Sequence, residues 1–128
     1  MILDSSAIVA IVLREPGCEE LVRKIADAET VAVGAPTLAE AGIVLTARLE
    51  RDARGLLQGL LREWQAVTVA FGEEHWRETL SAYSRFGRGR HRARLNFGDC
   101  MSYAVSRLAG EALLCTGEDF PRTDLELA

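Results

Sequence analysis

Short apolar runs recur along the chain, and between them apolar residues return at helical spacing. Ile2 to Asp4 reads as a short buried strand, followed by a helix from about Ser6 to Leu13 that Pro16-Gly17 ends. From Cys18 to Ala28 the stripe Leu21, Val22, Ile25, Ala26 predicts an amphipathic helix. "TVAVGAP" is a second strand, stopped by Gly34 and Pro36. The spacing then predicts a helix from Thr37 to about Arg51, with Thr37 as its cap. Asp52 to Gln65 reads as another helix, with Leu56, Leu57, Leu60, Leu61 and Trp64 on one side. "AVTVAF" is a third strand and Glu73 to about Phe86 a helix. The segment to Asn96 reads as a loop, and Phe97 to Ala109 as a helix closed by Gly110. "EALLC" is a fourth strand, and "DLELA" a fifth at the edge.

Strands alternating with helices imply right-handed crossovers and an α/β fold: a mostly parallel sheet of four to five strands, covered on both faces. Sites in such sheets gather beyond the carboxyl ends of the strands. At 128 residues, 48% hydrophobic and 27% charged, the chain reads as one domain able to bury a core without staples. No apolar run approaches the ~20 residues of a membrane span, and the start does not read as a secretory leader. Cys18, Cys100 and Cys115 have no metal-type spacing and read as reduced thiols of a cytoplasmic protein.

Four segments carry acids where packing alone would not ask for them. Asp4 follows the first strand, as a helix cap or as a ligand. Glu40 sits in the apolar "APTLAEAGIVL", so it is solvent-facing, ion-paired or turned to a cation. Asp99 in "NFGDC" could complete a capping box with Asn96. Glu118 and Asp119, after Thr116-Gly117, are also ordinary turn residues. Taken together, acids at strand ends and helix starts would form an oxygen-rich pocket suited to Mg²⁺ or Mn²⁺. Such a pocket suits phosphodiester hydrolysis. In that arrangement Ser5 and Ser6 would cap the first helix and leave Asp4 free to face the cation.

The net charge of −4 argues against indiscriminate nucleic-acid binding, but it hides an asymmetry. "RFGRGRHRARLN" holds Arg85, Arg88, Arg90, His91, Arg92 and Arg94 with no acid among them. The segment is either a solvated loop pairing with surface acids or a clamp on the phosphates of a polyanion. Lys24 is the chain's only lysine, and arginine's planar fork suits phosphate. His91 could donate a proton to a leaving oxygen or simply contact phosphate. Ser102 and Tyr103 follow Asp99 at i+3 and i+4, with core packing the expected role for Tyr103.

The pieces "MILDSSAIVAIVLREP", "PTLAEAGIVL", "GRGRHRARLNFGDCMSYAVSR" and "LLCTGEDFPRTDL" span nearly the whole chain. In that order the chain resembles the PIN-domain ribonucleases, specifically the VapC-type toxins of bacterial toxin–antitoxin pairs. The resemblance implies a PIN-like three-layer α/β/α fold in a single domain, residues 1–128. It implies a Mg²⁺- or Mn²⁺-dependent endoribonuclease that cuts single-stranded or looped RNA and stops translation. Asp4 and Asp99 match the metal-holding aspartates, and Glu40 the acid that helps place metal and water. The fourth acid is Glu118 under one pattern and Asp119 under another. Asp119 is preferred, because "GEDF" followed by "RTDL" matches the second pattern as a whole. Ser6 and Thr116 are expected in support.

The resemblance further implies a homodimer and a cognate VapB-type antitoxin whose tail covers the acidic groove, with no membrane association. Rival readings fit less well. An aspartate-nucleophile phosphatase wants a second Asp where Ser6 stands, and a receiver-like switch wants a lysine that Lys24 does not supply. A non-catalytic RNA-binding or regulatory module would not require all four acids.

Overall fold

A computed structural model describes residues 1–128. Four strands, β1 (Ile2–Leu3), β2 (Ala32–Gly34), β3 (Val67–Val69) and β4 (Leu113–Leu114), form one sheet in the order β3-β2-β1-β4. Every neighbouring pair is parallel, with Leu3 opposite both Val33 and Leu114. Six helices connect them: α1 (Ser5–Val12), α2 (Cys18–Asp27), α3 (Ala35–Leu49), α4 (Arg54–Glu63), α5 (Glu73–Phe86) and α6 (Phe97–Ala109). None is long and apolar enough to cross a membrane.

The strands are short but sort the core, because successive strand residues face opposite sides. Leu3, Val33 and Leu114 join a cluster with Ile8, Leu21, Ile25, Leu45 and Leu57 of α1 to α4. Ile2 and Leu113, one residue earlier, join a second cluster with Phe86, Leu95, Tyr103 and Phe120. Helices therefore cover both faces of the sheet. Each fully buried leucine contributes about 1.5–3 kcal/mol of burial free energy, so two or three residues per strand suffice to hold it.

Helix ends follow local chemistry. Glu19 and Glu20 occupy the first turn of α2 and Lys24 its last, complementing the helix dipole. The α6 helix ends in Gly110 at φ 65°, a left-handed position that suits glycine. The α3 helix begins at Ala35, two residues before the expected cap, because extended Gly34 leads directly into a first turn that accepts Pro36. Thr37 is accordingly not a cap; it is buried, and its hydroxyl lies 3.1 Å from Ser102 Oγ of α6.

One terminal expectation changes. "DLELA" contributes a single parallel bridge, Leu113 to Leu127, in place of a fifth strand. A 3₁₀ turn at Phe120–Arg122 precedes it. Asp124 is then held sideways by Tyr103 Oη at 2.6 Å and Arg85 at 2.7 Å, leaving too few residues to run along β4.

The arginine-rich segment is a folded loop, closed by a single parallel bridge from Gly87 to Leu95. Leu95 N donates to Phe86 O and Arg88 N to Leu95 O, while Ala93 and Leu95 are fully buried. A Cβ on Gly87 would stand 2.4 Å from Tyr83 O, so only glycine fits where the loop leaves α5.

Candidate active site

The sheet order reverses between β1 and β4: β2 and β3 lie on one side of β1, and β4 on the other. A crevice beyond the carboxyl ends of such neighbouring strands is where open parallel sheets place ligands. Asp4 leaves β1 there and is only 3% exposed. Its backbone amide donates to Leu114 O of β4 at 2.9 Å, so the sheet ladder itself fixes where the carboxylate begins.

Asp4 is the cap of α1, which corrects the expected division of labour with the serines. Its Oδ2 accepts from Ser6 N at 3.0 Å and from Ser6 Oγ at 2.6 Å. Its Oδ1 is buried and has no hydrogen-bond partner. The cap therefore consumes one oxygen and leaves the other bare. Ser6 Oγ in turn accepts from Thr116 N at 3.1 Å, so Thr116 enters through its backbone amide.

Asp99 sits at the third position of α6 in a capping box. Asn96 Oδ1 accepts from Asp99 N at 2.8 Å, and Asp99 Oδ2 accepts from Asn96 N at 2.9 Å. A cap bond and a helix N-terminus both favour the charged form. Burial nevertheless pushes this carboxyl up to about 6, and the neighbouring charges of Asp4, Asp119 and Glu40 add to the effect. Asp99 thus senses three of the sequence-selected acids. Glu118 and Asp119 are both exposed, and of the two only Asp119 is among the charges that raise it.

Glu40 reaches the site across the α3–α6 contact. A Cβ on Gly98 would lie 2.5 Å from Glu40 Oε1 and 2.6 Å from Oε2, so the carboxylate rests on the bare backbone of α6. Gly98 was not legible as a site residue. The available signal was a glycine in the first turn of an otherwise well-capped helix, where it costs propensity.

None of Asp4, Glu40, Asp99, Glu118 or Asp119 is ion-paired with an arginine, lysine or histidine. No three His, Cys, Asp or Glu side chains converge into a ready coordination shell. The arrangement is an uncompensated set of carboxylates, from buried Asp4 through half-buried Glu40 and Asp99 to exposed Asp119, with one orphaned oxygen. That donor set fits a hard divalent cation. The nearby thiols are unsuited to the role: burial pushes Cys115 up to about 12 and Cys100 up to about 11.

The arginines divide into two groups. Arg85 is committed to the fold: it donates to Asp124 Oδ2 and to Tyr103 Oη, and its guanidinium lies over Phe86. This is the surface-acid pairing that was one of the two readings of the segment. Arg88, Arg90, Arg92 and Arg94 are exposed and make no ion pair, with Arg90 resting on the Tyr83 ring. His91 packs edge-on against Phe86, and its Nδ1 accepts from Ala93 N, leaving Nε2 for any ligand. Tyr103 is wholly buried, as core packing required.

Comparison with known proteins adds a family. Residues 1–126 match the family described as PIN domain. Ribonuclease VapC36 of Mycobacterium tuberculosis is 46% identical over 127 residues, covering 98% of this chain and 91% of the relative. Ribonuclease VapC of Mycolicibacterium smegmatis is 37% identical over 125 residues, with 98% and 97% covered. Among solved structures, M. tuberculosis VapC20, described as a sarcin–ricin loop cleaving toxin, superposes with a TM-score of 0.80 at 18% identity, covering 99% of this chain and 97% of that one. A toxin–antitoxin complex from Klebsiella pneumoniae gives 0.73 at 10% identity, covering 99% and 95%. At such identities the two structures speak for the fold.

The geometry of the crevice is open to test at two residues. Gly98→Ala should leave thermal stability within about 1 kcal/mol, since only a flexible side-chain tip is displaced and alanine favours a helix. It should nonetheless lower cation affinity by moving Glu40. Unchanged Mn²⁺ titration of the folded variant would contradict that placement. Asp99 holds its proton more tightly folded than unfolded. Its contribution to stability is therefore present below about pH 4 and lost as pH rises through about 6. Asp99→Asn keeps the neutral form throughout, so without metal it should flatten this decline and melt higher than the parent at neutral pH. A stability difference that does not change across the window would refute the assignment.

Proposed function

We propose, from the premise that the chain belongs to the PIN-domain family and is of the VapC ribonuclease type, that it is a divalent-metal-dependent endoribonuclease. In this reading it is the toxin of a toxin–antitoxin pair, a single PIN unit over residues 1–128, acting in the cytoplasm on single-stranded or looped RNA and inhibiting translation. The observation that carries it is the buried, partnerless Oδ1 of Asp4 beside an Asp99 whose carboxyl is raised by its burial and by three neighbouring acids.

Asp4 and Asp99 would hold Mg²⁺ or Mn²⁺, with Glu40 and Asp119 in support. Such a cation, when bound, supplies Lewis acidity toward a phosphodiester and lowers the pKa of water. The chain's residues do the rest. Glu40, free of any cationic partner, orients the attacking water and accepts its proton. Asp119, in the segment that follows β4, is the fourth acid of the set. The electrostatic support for Asp119 over Glu118 is that only the former acts on Asp99.

Arg88, Arg90, Arg92 and Arg94 hold phosphates flanking the scissile bond, and His91 Nε2 is a further phosphate contact. Arg85 is left out of this clamp, because its guanidinium already serves Asp124 and Tyr103. A VapB-type antitoxin suits the same groove, since a guanidinium can stand in for a cation among carboxylates. A homodimer accords with the exposed apolar side chains Ile43 and Phe97 on neighbouring helices.

Antitoxin-free protein should cut RNA with Mg²⁺ or Mn²⁺ and stop on chelation, and Asp4→Asn or Asp99→Asn should abolish cutting. Undiminished cleavage by both variants would sink the reading, while RNA binding without cleavage by the parent would favour a non-catalytic module. For the clamp, Arg88→Ala with Arg92→Ala should weaken RNA binding. The logarithmic salt slope should fall by about 0.7 for each phosphate no longer held. An unaltered slope would remove these arginines from the interface.

A further inference from the structure

Ser6 occupies a position that neither capping nor packing requires. Capping of α1 is already served by the bond from Ser6 N to Asp4 Oδ2 at 3.0 Å, which any residue but proline could make at this position. The hydroxyl adds a second bond to the same oxygen, at 2.6 Å. It also accepts from Thr116 N at 3.1 Å, across a sequence separation of 110 residues. A hydroxyl has one proton to give. Thr116 N can only donate, so that proton has a single acceptor, Asp4 Oδ2, and the direction of both bonds is fixed.

Two consequences follow for the acidic crevice. With Oδ2 pinned by two donors, the Asp4 carboxylate cannot rotate, and Oδ1 is the oxygen left buried without a partner. The segment leaving β4 is tied to the start of α1 three residues before Asp119. The only direct hydrogen bond from that segment to the Asp4 end of the site therefore runs through one hydroxyl.

We propose that Ser6 is the positioning residue of the cation site: its hydroxyl aims Asp4 Oδ1 at the cation and anchors the Thr116–Asp119 segment to the same carboxylate. This deepens the reading of the acids as a divalent-cation site and rests on it. Groups that orient metal ligands in this way set affinity without touching the ion, and their loss costs about 10- to 100-fold in binding or activity.

The test uses Mn²⁺ alone, titrated into the full chain by calorimetry, with amide exchange at Thr116 as a second readout. Ser6→Ala should lower Mn²⁺ affinity about tenfold. Its metal-free melting temperature should stay close to the parent's, because the backbone cap survives. The Thr116 amide should exchange faster. Ser6→Thr, which restores a hydroxyl, should recover both affinity and protection, and Ser6→Cys, a weak donor of similar shape, should fall between. A double-mutant cycle gives the third measure: Asp119→Asn should cost less in Ser6→Ala than in the parent, since the anchor that delivers Asp119 is already lost.

Parent-like Mn²⁺ affinity in Ser6→Ala overturns the proposal. So does a Ser6→Thr variant as weak as Ser6→Ala, or strictly additive effects in the cycle. A parent protein that takes up no Mn²⁺ overturns it as well, together with the cation site. A parent that binds Mn²⁺ but cleaves no RNA ends the nuclease reading alone, and the affinity series still decides the role of Ser6.

Discussion

A carboxylate taken out of water has to find donors or a cation, and Asp4 is buried with one oxygen accepting two hydrogen bonds and the other accepting none. The rest of the crevice is organised around that imbalance. The sheet ladder delivers Asp4 to the gap between β1 and β4, where the strand order reverses. The α6 helix brings Asp99 to the same place by its N-terminus, and Gly98 gives up its Cβ so that Glu40 can lie against the backbone. None of these acids has a basic side chain to neutralise it, although the chain has arginines to spare.

The arginines go elsewhere for a physical reason. Arg85 locks the end of α5 to Asp124 and Tyr103, which fixes the base of the basic loop. Burial of Ala93 and Leu95 then pins the loop from beneath while its arginine side chains stay exposed. The result is a local concentration of positive charge on an acidic protein. Such an arrangement attracts a polyanion to one place while the remaining surface repels it. Keeping the two charge clusters apart preserves both: arginines folded into the crevice would neutralise the acids and remove that concentration of positive charge.

The crevice is also where the molecule departs from its most stable form. Like charges crowd there, and Asp99 resists ionising despite a helix N-terminus and a cap bond that both favour its charge. Two apolar clusters, one on each face of the sheet, hold the acids in place against their repulsion. Strands of two residues are enough in β1 and β4 because each of their side chains is committed to one cluster or the other, while the edge strand β3 stays largely exposed.

Much of this was legible in the sequence. Periodicity marked α5 and α6 to the residue, and strand alternation with helices implied the parallel sheet, because burial on two faces leaves a one-dimensional trace. The four acids stood out because each interrupts an apolar or turn context with a charge. What the sequence left open was decided by contacts between distant segments. That the Ser6 hydroxyl gives its proton to Asp4 Oδ2 depends on an amide 110 residues from Ser6, at Thr116. That Arg85 belongs to the fold and its neighbours to the surface depends on Asp124, 39 residues on. The missing fifth strand has the same origin, since Asp124 is pulled toward α5 and α6 before β4 can pair with it. Local pattern specifies which residues are apolar, charged or turn-forming. Only closure of the chain decides which polar atoms find partners and which one is left over.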